Sequence, residues 1–108
     1  MDDVTPLLAA VDSFADRLRT LPQSRLSRGA AAEALALARE LAAWAQRIEE
    51  PGAGAVREMP DAGMFAVADQ VAVAGHDLAE ALIASGEVAK GVAEAVELVE
   101  GAARRCGL

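Results

Sequence analysis

Glu49-Glu50-Pro51-Gly52-Ala53-Gly54-Ala55 is the stretch that decides how this chain folds. Proline removes a backbone donor and glycine favours conformations that helices do not use, so no helix runs through it. Residues 49–60, closed by Pro60, read as a linker that is long for a connection between helices. It divides an otherwise periodic, alanine-rich chain into two helical hairpins.

Working back from the linker, Leu37, Leu41, Trp44 and Ile48 recur at helical spacing, with Glu33, Glu40 and Arg47 on the opposite face. This pattern predicts a helix over 25–48, capped by Ser24 or Ser27. Pro22 separates it from an earlier run, Leu7, Val11, Phe14, Leu18 and Leu21, which predicts a helix over 5–21. There Thr5 offers a capping hydroxyl, and Pro6 takes the first helical position, where its missing N–H costs nothing.

Beyond the linker, Asp61 is the expected cap of a helix over 61–85 with the stripe Met64, Val67, Val71, Ala74, Leu78 and Leu82. Gly86 is its natural stop. A fourth helix over 87–106 continues with Val88, Val92, Ala95, Val99, Ala102 and Cys106. Glu87, Glu94, Glu97 and Glu100 fall outside that stripe, and Glu100 with Arg104 has the favourable i,i+4 order. Four such helices predict an all-α fold: an antiparallel four-helix bundle built from two helical hairpins, in one domain spanning 1–108. The stripe spacing predicts helix axes crossing at about 20°.

The composition offers little for catalysis. One histidine, one cysteine and no tyrosine leave few acids, bases or nucleophiles to converge, so no enzyme activity, metal or cofactor is expected. The net charge is −7, and all of the excess falls in residues 49–108. That acidity argues against nucleic acid as a partner, because phosphates repel it. The opening Met1-Asp2-Asp3-Val4-Thr5-Pro6 lacks a charged-then-apolar leader, and no stretch has the apolar length of a membrane span. A lone Cys106 cannot form an internal disulfide. The expected setting is therefore cytoplasmic, away from membranes.

Two helices also carry seams of small residues: Ala31, Ala38, Ala42 and Ala45 on the second, and Ala68, Ala72, Gly75 and Ala79 on the third. Small side chains let backbones approach, so the two seams are expected to pack on each other. Phe65 and Ile83 flank the third-helix seam, about 120° from the main stripe. One small bundle does not need so wide an apolar arc. Phe65, Ala68, Ala72, Gly75, Ala79 and Ile83 are therefore the candidate surface for a homodimer or another protein partner.

His76 points away from the main stripe, beside Asp69 and Glu80. One histidine and two carboxylates fall short of a transition-metal ligand set. In its segment, His76-Asp77-Leu78-Ala79-Glu80-Ala81 with Gly86 beyond, the chain resembles a histidine phosphotransfer domain. The histidine, leucine and small residues match; Ala79 stands at that family's lysine and Glu80 at its glycine. The resemblance implies His76 as phosphoacceptor. Trp44-Ala45-Gln46, near the end of the second helix, is similar to the Trp-x-Gly of small leaderless secretion substrates, with Gln46 at the glycine position. Arg25 and Arg28, in the cluster with Arg17 and Arg19, lie with Ser24 and Ser27 at a helix N-terminus and form a candidate anion site. Cys106, on an apolar stripe with no histidine near it in sequence, reads as a core residue. The reading these observations favour is a non-enzymatic, self-associating helical interaction module.

Overall fold

Pro6 lies in the first turn of the first helix, α1 (Thr5–Thr20), as the sequence predicts. The capping group is different. Asp3, not Thr5, supplies the acceptor: its carboxylate takes the Thr5 backbone N–H at 2.9 Å and the Thr5 hydroxyl at 2.6 Å. Those two bonds hold the Asp3 carboxyl below the usual carboxylate range. The computed structural model describes residues 3–108; Met1 and Asp2 of the acidic opening stretch lie outside the described residues.

The second long helix, α2 (Ala31–Glu49), starts later than expected. Residues Gln23–Arg25 make a single helical turn, and Leu26–Ala30 a widened turn interrupted by Gly29 at φ 151° and ψ −21°. Neither Ser24 nor Ser27 caps it; the Ser27 hydroxyl donates to the Ser24 carbonyl at 3.3 Å. The third helix, α3 (Val67–Ser85), likewise starts at Val67 rather than at Asp61. The Asp61 carboxylate accepts the Gly63 N–H at 2.8 Å, a local turn that competes with helix formation. At the other end Gly86 adopts φ 75°, with the Gly86 N–H on the Ile83 carbonyl and the Glu87 N–H on the Leu82 carbonyl. This is the left-handed stop that glycine allows without strain. The fourth helix, α4 (Val88–Arg105), begins at once.

The described residues form an all-α four-helix bundle with no strand. Arg19 bonds Asp69 at 2.8 Å and Asp12 bonds His76 at 2.9 Å, so α1 and α3 run in opposite senses. Glu33 bonds Arg105 at 2.7 Å, while Glu40 shares a groove with Leu98, so α2 and α4 also oppose each other. By contrast α2 and α3 run the same way. Leu35 and Arg39 share a cleft with Val67 and Gln70 at one end, and Trp44 and Ile48 share one with Leu82 and Ser85 at the other. Consecutive helices thus run in opposite senses, but α1 packs on α3 and α4 rather than on α2, so the first expected hairpin is not a packed pair, and the most extensive helix contact is α2 on α3.

That arrangement explains the long linker. Parallel neighbours need a crossover, so residues 50–66 must return along α2 before α3 can begin. Polar side chains fasten the returning strand of chain. The buried Gln46 amide donates to the Ala55 carbonyl at 3.4 Å and accepts the Arg57 N–H at 2.9 Å. Further along, Arg39 donates to the Met59 carbonyl at 2.8 Å, and Gln70 of α3 to the Pro60 carbonyl at 2.9 Å.

The predicted stripes are the core. Leu7, Val11, Phe14, Leu41, Val71, Leu78 and Ala95 are fully buried, and Leu18, Leu37, Leu82 and Val99 nearly so. Each large apolar side chain buried this way contributes about 1.5–3 kcal/mol relative to exposure. Within the small-residue seam of α3, Gly75 packs on α1: a Cβ built there would lie 2.5 Å from Val11 Cγ2. Glu100 and Arg104 form no ion pair; along α4 the paired cation is Arg105.

Candidate functional site

The outer side of α3 holds part of the candidate partner surface and hides the rest. Ala68, Gly75 and Ala79 are buried, Gly75 against Val11 of α1, and Ala72 is half-buried. The buried three are internal packing, not a free surface, and Gly75 is what lets α1 approach there. Phe65 and Ile83 are exposed, at 75% and 58%. Phe65 precedes α3, in the turn that leads into it. Between them lies Val73, also 58% exposed. Sequence reasoning missed Val73, although a valine opposite the buried stripe is a legible signal. Val73, His76, Glu80 and Ile83 follow one another at helical spacing along this side, and α3 carries no lysine or arginine.

His76 does face outward, but its partner is on another helix. Its Nε2 lies 2.9 Å from Asp12 Oδ1, across from α1. Asp69, the expected neighbour, is held instead by Arg19, which also bonds Asp16 at 2.9 Å. A phosphoryl group on Nε2 would have to displace Asp12 and would meet that carboxylate's charge. Among the described residues, no three side chains of His, Cys, Asp or Glu are grouped to hold a metal.

The candidate anion site is taken apart by the fold. Arg25 donates to the Cys106 carbonyl at 2.9 Å, so its charge sits on the C-terminal carbonyls of α4, where a cation is favoured. Arg28 is exposed and makes no ion pair among the described residues, Arg17 donates to the Ser13 carbonyl at 3.4 Å, and Arg19 is on its carboxylates. The same corner buries Cys106. Its thiol donates to the Ala30 carbonyl at 3.6 Å, and burial, followed by the Glu33 charge, pushes the thiol pKa up. Less thiolate and less access both slow thiol chemistry. A disulfide reagent at neutral pH is expected to label Cys106 at least about tenfold more slowly in the native protein than in urea. Equal rates would mean that this corner is open.

A second feature, outside every sequence expectation, is the groove between α2 and α4. Trp44 and Ile48 on α2 and Gly91, Glu94 and Leu98 on α4 line two adjoining hollows of about 330 and 400 Å³. Glu40, Arg47, Glu87 and Lys90 stand around them. No protein family model, curated protein or solved structure matches this chain.

Proposed function

We propose that this chain is a non-enzymatic protein-binding module that meets its partner on the outer side of α3. One observation carries the reading: Phe65, Val73 and Ile83 are left 58–75% exposed along α3 and the turn that leads into it. Large apolar side chains left in water are characteristic of interaction surfaces. The two side chains best suited to chemistry are engaged in structure, His76 with Asp12 and Cys106 with Ala30. A single buried cysteine fits a reducing cytoplasm, and no helix among the described residues is long and apolar enough to cross a membrane.

Photocrosslinking tests this directly. A benzoylphenylalanine placed at position 65, 73 or 83 in the native cell is expected to give an adduct of one defined mass with a protein. The same probe at Glu97, exposed on α4, is expected to give none. Absence of adducts from all three α3 positions in a folded, expressed protein would refute the surface. His76→Ala is expected to leave the adducts unchanged. Loss of cellular function in a folded His76→Ala variant, with phosphodonor labelling of the native protein alone, would replace this reading with phosphotransfer.

A further inference from the structure

The C-terminal ends of α1 and α4 gather arginine at one end of the bundle. Both helices oppose α3, so they run the same way. Each carries two arginines in its last turn, Arg17 and Arg19 on α1 and Arg104 and Arg105 on α4. A cation is favoured at a helix C-terminus, which accounts for the gathering. It does not account for how the four are used. Arg19 holds Asp16 and Asp69, and Arg105 holds Glu33. Arg17 and Arg104 hold no carboxylate among the described residues, although the chain has 17 Asp and Glu against 10 Lys and Arg.

These two arginines line one hollow. It lies between α1 and α4, measures about 330 Å³, and takes no residue from α3. Buried Val99 and Ala103 of α4 form its floor. Ser13, one turn before Arg17, brings a hydroxyl to the same rim. The Arg17 bond to the Ser13 carbonyl uses Nε alone, so both Nη groups stay available. Glu100 also stands at the rim, in the order that favours a pair with Arg104, and yet the two form no ion pair.

We infer that this hollow binds a small anion through a phosphoryl or carboxylate group, gripped between Arg17 and Arg104 with the Ser13 hydroxyl as a third donor. Like charges lining one hollow repel each other unless an anion lies between them. A planar guanidinium presents paired N–H groups at the spacing of phosphate and carboxylate oxygens, and two of them from different helices can take one anion from both sides. Two arginines less Glu100 leave the site a single net positive charge. That suits a compact anion, whereas a polyanion such as nucleic acid would meet the acidic remainder of the chain. The site is distinct from the one expected at Arg25 and Arg28: Arg25 is spent on the Cys106 carbonyl, and Arg28 does not line the hollow. It is also independent of the partner surface on α3.

Titration with inorganic phosphate and with succinate, followed by NMR at neutral pH and constant ionic strength with chloride as the control, tests the assignment. The backbone amides of Ser13, Arg17 and Arg104 and the Nε–H signals of the two arginines are expected to shift saturably, in the millimolar range, with at least one probe. A response to phosphate alone assigns a phosphoryl ligand, one to succinate alone a carboxylate, and one to both the shared oxyanion chemistry. Arg17→Gln and Arg104→Gln are each expected to weaken binding at least about tenfold, as loss of a charge-assisted hydrogen bond does. Arg47→Gln removes the same charge from the last turn of α2, at the other end of the bundle, and is expected to leave Kd within about twofold. All three side chains are exposed, so the variants are expected to keep the wild-type circular dichroism. No saturable response to either probe overturns the proposal. So does wild-type affinity in either hollow variant, or an equal loss in Arg47→Gln, which would mean that only the net charge is sensed.

Discussion

Phe14→Ala is expected to cost about 3–5 kcal/mol, and Phe65→Ala less than about 0.5 kcal/mol, although both remove the same side chain. Phe14 is fully buried in α1 and its loss leaves a cavity among close-packed neighbours. Phe65 is 75% exposed, so truncation takes little from the interior. For a domain with a total stability of about 5–15 kcal/mol, the Phe14 change removes a large share. Each kcal/mol should lower Tm by roughly 4–8 °C in a chain of this size. Thermal melts that shift equally for the two variants would contradict the placement of both residues. A stable Phe65→Ala variant would also let the proposed partner surface be tested without a folding defect.

Gly75→Leu is expected to destabilise by about 1–3 kcal/mol or more, because overpacking adds strain where no space exists. The new Cβ alone would sit 2.5 and 2.6 Å from the two Val11 methyls and 3.0 Å from Val11 Cβ. Val11 is fully buried and β-branched, so it cannot rotate clear and the two helices must part. Gly75→Ala sharpens the test. Replacing a mid-helix glycine by alanine ordinarily gains about 1 kcal/mol of helix propensity. At Gly75 the clash is expected to outweigh that gain. At Gly101 of α4 a Cβ would meet only the ends of two long exposed side chains, Arg105 at 3.3 Å and Arg104 at 3.8 Å, so Gly101→Ala is expected to stabilise. A urea midpoint that rises for Gly75→Ala as it does for Gly101→Ala would show that α1 and α3 do not approach closely at Gly75.

The inner stripes of all four helices were legible in the sequence, as were the stop at Gly86 and the linker between the hairpins. Those features are local. Periodicity of three to four residues, a left-handed glycine and a proline-rich break act over one or two turns, and the chain cannot satisfy them in many ways. Helix starts were less legible. Asp61 and Thr5 have the right chemistry for caps, yet Asp61 turns onto Gly63, and Asp3 takes the role expected of Thr5. Short polar side chains serve turns and caps alike, and neighbouring geometry chooses between them.

The partners of the polar side chains were decided only in three dimensions. His76 reaches Asp12, 64 residues away, and Arg25 reaches the Cys106 carbonyl, 81 residues away. Neither pairing is encoded by local spacing. The same holds for the parallel course of α2 and α3. An apolar stripe says that a helix buries one face, but it does not say which helix covers it or in which direction that helix runs. Here close packing of Gly75 on Val11 and the fastening of residues 50–66 by Arg39, Gln46 and Gln70 select one arrangement. That arrangement sets Trp44 and Ile48 of α2 beside Leu82 and Ser85 of α3 and leaves Val73 and Ile83 of α3 exposed. Sequence periodicity determined what is inside; the direction of the crossover determined what the surface presents.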